Sequence, residues 1–526
     1  MATYEETAQS IIKEAIKSAI FIDENAKEPF MQEEPSESQR SKDLYKNFKE
    51  NGISLSIYKY DETTYPNYKD YLFHNRDIVL LDWKLDGEDG EDKSLALLSE
   101  VVNMQPHIHF CVIYTSEKPD IVFNNILSYF SCLTKDEYEE ILEDFEDEKE
   151  IIDKMVPDLI LLSQNRFSKA KRSDILKSIL SNKELITRVK SNPLLQKEET
   201  GEKSLGLLCG YIRLGIAFSP YIKADSMQPC PSDINAEQNT LCINNTLITV
   251  FNKDDIEANQ ILEVFSQQIT NYEKGVMHLL GLEMRNMQRK GGTFIDSAVL
   301  SVSKEALGYH KQQSGKDFSS FVKNVMVEHL KTNMSNAELS ILDAIQPCAY
   351  QDEPDKKKEY AAMNVFYNSQ RKIGNDKILS FGDVFKYEDK FYICITALCD
   401  CTHPEKRDNC YYFAEGQKLV IEKALEKGDS GYISYISPDC CIKWDKDALQ
   451  GEYSHIVPVN YFVANNHIVN NKLVISRFKN KNKVECEFEY ITTIRQNYTQ
   501  RIANFAFSHP VRVGIDFVKK NIKTDE

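Results

Sequence analysis

Along the first third of the chain, short continuous apolar runs alternate with stripes of helical spacing. Ile11, Ile12, Ala15 and Ile16 form one face of a helix over 5–17. A wholly apolar strand over 19–22 follows and ends in Asp23 and Glu24. Similar runs predict strands over 53–58, 77–81, 108–114 and 159–162, separated by helices over 41–50, 65–74, 93–102, 121–130 and 136–153. Strands that are apolar on both faces and separated by helices indicate a parallel sheet covered on both sides. The expected fold is doubly wound and flavodoxin-like.

From about 171 to 350 the pattern is mainly helical, interrupted by one predicted strand over 246–251. Helices are expected over 255–269, 272–287, 318–330 and 337–345. The charged run QDEPDKKK over 351–358 reads as a linker. Beyond it come a helix over 360–371, seven short strand patterns between 383 and 488, and a final helix over 492–507. The chain is therefore expected to be multidomain, α/β plus α plus β. A doubly wound domain would span 1–170, a helical domain 171–350, and a β-rich, barrel-like domain 359–526.

Charge changes this picture in one respect. The net charge is −17, and residues 1–170 alone carry 36 acids against 18 bases. Phosphate contacts need an excess of Lys and Arg, so nucleic-acid binding by the first third is disfavoured. The longest apolar stretch, 204–218, is broken by Arg213 and is too short for a membrane span. The start, MATYEETAQS, lacks the basic and apolar regions of a signal peptide. Thirteen cysteines in no small-scaffold spacing point to reduced thiols, and a cytoplasmic location without membrane contact is expected.

The chemistry concentrates at one edge of the expected sheet. Asp82 stands at the C-terminal end of an apolar strand in DIVLLDWKLDGEDG, before a Gly-containing loop. Asp23 and Glu24 reach the same edge from the first strand, and Thr115 from the fourth. Ligands bind at that edge of an open parallel sheet. The carboxylates of Asp23, Glu24 and Asp82 make a hard-oxygen site suited to Mg²⁺.

These residues resemble the receiver domain of bacterial two-component response regulators over roughly 18–168. The resemblance implies that Asp23 and Glu24 hold Mg²⁺ and that Asp82 accepts a phosphoryl group. It further implies that Thr115 is the hydroxyl that reads the phosphate, and that the partner is a histidine-kinase-like protein. Two features depart from the family. Its lysine after the fifth strand is missing from Ser163–Gln164–Asn165–Arg166–Phe167, and Lys118 and Lys169 are out of register. The segment between the fourth and fifth strands is also long and acidic, which suggests a degenerate receiver that signals by docking alone.

Seven cysteines fall after residue 390. In CDCTH, Cys399, Cys401 and His403 alternate, so on a strand they would share one face and allow a tetrahedral Zn²⁺ site. His403 beside either thiol is also the pattern of an activated nucleophile. These features define the alternative reading, an enzyme or zinc-binding effector in the C-terminal domain. The stretch FGDVFKYEDKFYICITALCD is weakly similar to small bacterial barrels. Phosphate loops, nucleophile elbows and zinc-protease helices are missing from the sequence. The reading favoured by the sequence is a regulator rather than a turnover enzyme. Its architecture resembles that of components of multi-gene anti-phage modules.

Overall fold

The computed structural model describes residues 3–507, apart from 33–34, 88–89, 105–107, 132, 164–176, 178–181, 197–202, 273–274, 291–299, 315–317, 336–337, 371–375, 403–407, 446–454 and 480–481. The chain divides into two compact units, Met1–Gln346 and Pro347–Glu526.

In the first unit, α1 (Tyr4–Ala15) leads into β1 (Ser18–Asp23), α2 (Ser38–Glu50), β2 (Ser54–Lys59), α3 (Lys69–Phe73) and β3 (Ile78–Leu81). Then follow α4 (Glu91–Met104), β4 (His109–Thr115) and α5 (Pro119–Tyr129). A helical excursion comes next: α6 (Lys135–Asp144), α7 (Lys149–Ser163), α8 (Lys183–Ser191) and α9 (Lys203–Ala217). The chain returns through β5 (Asp233–Asn235), β6 (Thr240–Ile243) and β7 (Thr246–Asn252). It continues in α10 (Ile261–Thr270), α11 (Val276–Lys290), α12 (Lys304–Ser314), α13 (Phe318–Ser335) and α14 (Ser340–Ala344).

The sheet order is β2-β1-β3-β4-β7-β6-β5. The first five strands are parallel, and β6 and β5 add an antiparallel edge. One face packs under α1, α2, α10 and α11 through Ile12, Phe21, Phe48, Phe110 and Phe265. The other packs under α3, α4 and α5 through Phe73, Val79, Leu98 and Phe123. This is the doubly wound, flavodoxin-like arrangement.

The fifth parallel strand is not the expected one. Residues 159–162 lie in α7, where Ile152, Val156, Leu159 and Leu162 are buried at helical spacing. They pack on Leu185, Val189, Tyr211 and Leu214 in a separate core of the excursion. A short apolar run fits helix and strand equally, and here the stripe preceding it decides. The fifth position belongs to β7, paired in register with β4 from His109↔Thr246 to Thr115↔Asn252. The strand expected within the helical middle thus completes the N-terminal sheet, and residues 130–245 are inserted between α5 and that strand.

The second unit is rich in antiparallel sheet. It contains α15 (Pro354–Asn368), β8 (Ser369–Gln370), β9 (Asp376–Ile378), β10 (Asp383–Tyr387), β11 (Lys390–Cys394), α16 (Leu398–Thr402) and β12 (Cys410–Leu419). Then come α17 (Ile421–Lys427), β13 (Ile433–Ser437), β14 (Cys440–Lys443), β15 (Pro458–Phe462), β16 (His467–Val469), β17 (Lys472–Lys479), β18 (Asn482–Ile494) and α18 (Gln496–Ala506). Pairings run β10-β11-β12-β15-β17-β18 and return from β18 to β10, which closes a barrel. Phe385, Tyr392, Phe413, Tyr461 and Phe488 fill its core. At the bend before β10, Gly382 has φ +91, and a Cβ there would meet Ile494 O at 2.4 Å, so only glycine fits.

Candidate functional site

Three strand ends meet at the C-terminal edge of the first sheet. Asp23 ends β1, Asp82 follows β3, and Thr115 ends β4. The Asp82 N–H donates to Ile22 O at 2.9 Å, which fixes the acceptor strand against the Asp23 strand. Lys253 follows β7 directly, and its N–H donates to Thr115 O at 2.7 Å. The parallel register therefore delivers an ammonium to the same edge.

That ammonium organises the site. Lys253 Nζ lies 2.8 Å from Asp82 Oδ1 and donates to Asp23 Oδ2 at 3.0 Å. The Asp23 side chain is 1% exposed, that of Lys253 5%, and that of Asp82 13%, so Asp82 is the carboxylate open to an incoming group. Asp23 Oδ1 accepts from the Asn25 N–H at 2.7 Å, and Asp82 Oδ2 from the Lys84 N–H at 3.3 Å. Burial pushes the Asp82 carboxyl up to about 6, with Lys253 opposing the rise and Asp23 adding to it. Burial also pulls the Lys253 ammonium down, but Asp82 and Asp23 outweigh it and its pKa is raised. The lysine is thus held charged between two carboxylates.

The remaining groups lie around this triad. Glu24 turns toward the loop after β3, where its Oε2 accepts from the Gly87 N–H at 2.8 Å. Thr115 is 2% exposed, and its Oγ1 accepts from the Glu117 N–H at 3.0 Å. Lys84 and Glu117 pair at 2.8 Å and link the loops that follow Asp82 and Thr115. The Tyr114 ring has Lys253 at 5.8 Å and Arg40 at 5.6 Å, while its hydroxyl donates to Ile256 O at 2.7 Å. Beside them a groove of about 710 Å³ opens along α2, with Tyr114 and Lys253 in its lining and Glu37, Arg40, Asp43 and Lys46 among its charged groups.

Among the described residues, no three His, Cys, Asp or Glu side chains converge as a ligand set. Asp23 and Asp82 do share one cation, Lys253, through hard oxygens. Mg²⁺ commonly takes only one or two carboxylates and completes its shell with water and phosphate. The pair therefore fits such an ion without a third protein ligand.

Residues 15–156 match the family model described as a response receiver domain. The N-terminal part of the chain is a receiver domain. The match stops inside α7, whereas the receiver's sheet is completed by β7, beyond the insertion. Comparison with curated proteins and with solved structures gave no match. A receiver supports a response-regulator-like signalling role.

The structure corrects the expectation of a missing lysine. Lys253 stands directly after the fifth parallel strand and contacts both Asp23 and Asp82. Lys118 is instead the N-cap of α5, and Lys169 lies outside the described residues. The signal for Lys253 was present in the sequence, because the strand over 246–251 is followed at once by Asn252 and Lys253.

The C-terminal thiols are arranged differently from the expected strand. Cys399 and Cys401 fall on α16, a single helical turn, so the alternation that would put them on one strand face does not apply. His403 lies outside the described residues. Cys401 is fully buried and its thiol donates to Thr396 O at 3.4 Å. Burial holds the neighbouring Cys394 thiol well above its ordinary value, which disfavours a thiolate nucleophile there. Among the described residues, no helix is long and apolar enough to cross a membrane.

Proposed function

We propose that the receiver accepts a phosphoryl group on Asp82 from a histidine-kinase-like protein and that Thr115 reads the change. The observation that carries this reading is the Lys253 bridge between Asp82 and Asp23. A phosphoryl group arriving at Asp82 brings further negative charge into a site that already holds two carboxylates. Lys253 is placed to offset it without leaving its position. In the transfer, an Asp82 oxygen bonds to phosphorus as the phosphorus–nitrogen bond of a phosphohistidine breaks, and the imidazole keeps the electron pair and takes up a proton. Asp82 must be ionised to attack, and with its carboxyl near 6 it is mostly ionised at neutral pH.

Mg²⁺ would be held by Asp23 and Asp82, with Glu24 close by on the same edge, and would supply charge neutralisation at phosphorus. Once the acyl phosphate forms, the Thr115 hydroxyl has a stronger acceptor than it had before. Its shift would be felt by Glu117 and, through the Lys84 pair, by the loop after Asp82. The groove along α2 supports partner docking, since it lies beside Lys253 and carries charges of both signs.

The test is incubation with acetyl phosphate and Mg²⁺, followed by intact-mass measurement and peptide mapping. One added phosphoryl group on the peptide containing Asp82, absent in Asp82→Asn, supports the reading. An unmodified wild-type protein under conditions that label a control receiver overturns it.

A further inference from the structure

We propose that Lys223 is an acylation site whose amine takes an acyl group from small acyl phosphates. Its side chain lines a pocket of about 660 Å³ between the receiver and the inserted residues. Asp92, Ala96 and Tyr129 enter that pocket from the receiver, and Tyr138, Leu142 and Phe218 from the insertion. The half-buried Lys223 Nζ donates to Ser219 O and, at 2.9 Å, to Tyr221 O. It lies 5.3 Å from the centre of the Tyr138 ring. Among the described residues these are its partners, and no carboxylate pairs with it. Of the pocket's other charged groups, Asp225 is turned to Lys135 at 4.0 Å, and Asp92, Glu139, Lys149 and Asp153 are exposed to solvent.

An ordinary lysine is protonated at neutral pH and so has no lone pair to offer. Around Lys223, two neutral carbonyls and an aromatic face stand where water would solvate the ammonium. They do not offset the lost hydration, and burial pulls the ammonium down to about 8. At pH 8 roughly half of it is free amine, against under about 1% of an ordinary lysine. Desolvation of this kind turns a lysine into a nucleophile. In the step, the Lys223 nitrogen bonds to the carbonyl carbon of the acyl phosphate. The carbon–oxygen bond to phosphate breaks, phosphate leaves with the electron pair, and the amine proton passes to solvent. The product is a neutral amide with one N–H, where the ammonium had three donors for its two carbonyls. That change bears on the receiver. The Ile222 N–H donates to Asn125 Oδ1 at 2.8 Å, and Asn124 Nδ2 donates to the Tyr221 hydroxyl at 3.0 Å, so the segment that Lys223 braces is fastened to α5. Acylation would loosen that fastening between insertion and receiver.

The experiment incubates the full chain with acetyl phosphate over a pH series from neutral to about 10, folded and in urea, and maps acetylated lysines by mass. At pH 8 Lys223 is expected to label about tenfold faster than the exposed Lys331. Its rate should level off by about pH 9, and its advantage should vanish in urea. A folded protein in which Lys223 labels no faster than Lys331 overturns the proposal. So does a rate that climbs past pH 9 as an exposed lysine's does, or an advantage that survives unfolding. The adduct is acetyl rather than phosphoryl, so this outcome and the one at Asp82 are read separately from the same sample.

Discussion

Lys253 and Asp23 are separated by 230 residues in sequence and by 3.0 Å in space. The same ammonium lies 2.8 Å from Asp82, so one side chain from beyond a long insertion closes a site whose other members come from the first 115 residues. Such a bridge has an energetic consequence. Two carboxylates, both largely withdrawn from water, tolerate each other only because a cation stands between them.

Lys253→Met keeps the apolar stem and removes that cation. The variant is expected to lose about 3–5 kcal/mol at neutral pH, the usual result of stranding a buried charge. Urea unfolding measures this directly. The loss should shrink under mildly acid conditions, where Asp82 takes up a proton and the repulsion with Asp23 disappears.

Asp82→Asn should act in the opposite direction. The Asp82 carboxyl rises from 3.8 to about 6 in the fold. Between those values the unfolded chain is ionised while the folded chain keeps its proton. Stability therefore falls as pH rises through that window and stays reduced above it. The neutral amide removes the penalty, so the variant should be more stable at pH 7–8 by on the order of 2 kcal/mol. Thermal unfolding at several pH values should show that gain fading as pH falls toward 4. A gain that does not vary with pH would contradict the burial argument.

Thr115→Val separates acceptance from response. The substitution keeps the shape but removes the acceptor for the Glu117 N–H, at a cost of about 1 kcal/mol. Labelling of Asp82 by acetyl phosphate should survive. The change in hydrogen exchange around Glu117 that follows labelling in the wild type should be lost.

Asp77 secures the opposite edge of the sheet. It is 2% exposed, accepts from the Lys17 and Ser18 N–H groups at 2.8 and 3.1 Å, and pairs with Arg285 at 3.2 Å. Arg285 in turn donates to Ile108 O and Ala15 O, so this network ties α11 to the base of β1, β3 and β4. Asp77→Ala should cost about 1–3 kcal/mol in urea unfolding, because the Lys17 and Ser18 N–H groups lose their acceptor and the partly buried Arg285 loses its carboxylate. The chemistry at Asp82, on the far edge, should persist wherever the variant is folded.

Much of the receiver was legible because its first four strands are short, continuous and apolar, and three of them end in Asp23, Asp82 and Thr115. Those are local signals. The fifth strand was not legible as a partner of the fourth, since pairing is a tertiary fact and the 130 residues from 116 to 245 intervene. The run over 159–162 offered a nearer candidate, but it continues the helical stripe of Ile152 and Val156 and packs with it against Leu185 and Tyr211. Lys253 was hidden for the same reason, although the strand that carries it was recognised. In the C-terminal third, the alternation of Cys399 and Cys401 suggested a strand, but Leu398–Thr402 forms a helical turn. The barrel is closed by pairings such as Phe462↔Ser476, which no sequence pattern announces.

The central claim is that Asp82, Asp23 and Lys253 form one working acceptor site, and beryllofluoride tests it most directly because it mimics the acyl phosphate without chemistry. Fluorine NMR of the full-length protein should show a bound signal that requires Mg²⁺, vanishes in Asp82→Asn and is strongly weakened in Lys253→Met. No bound signal in the folded wild type, or one that persists in Asp82→Asn, would contradict the claim.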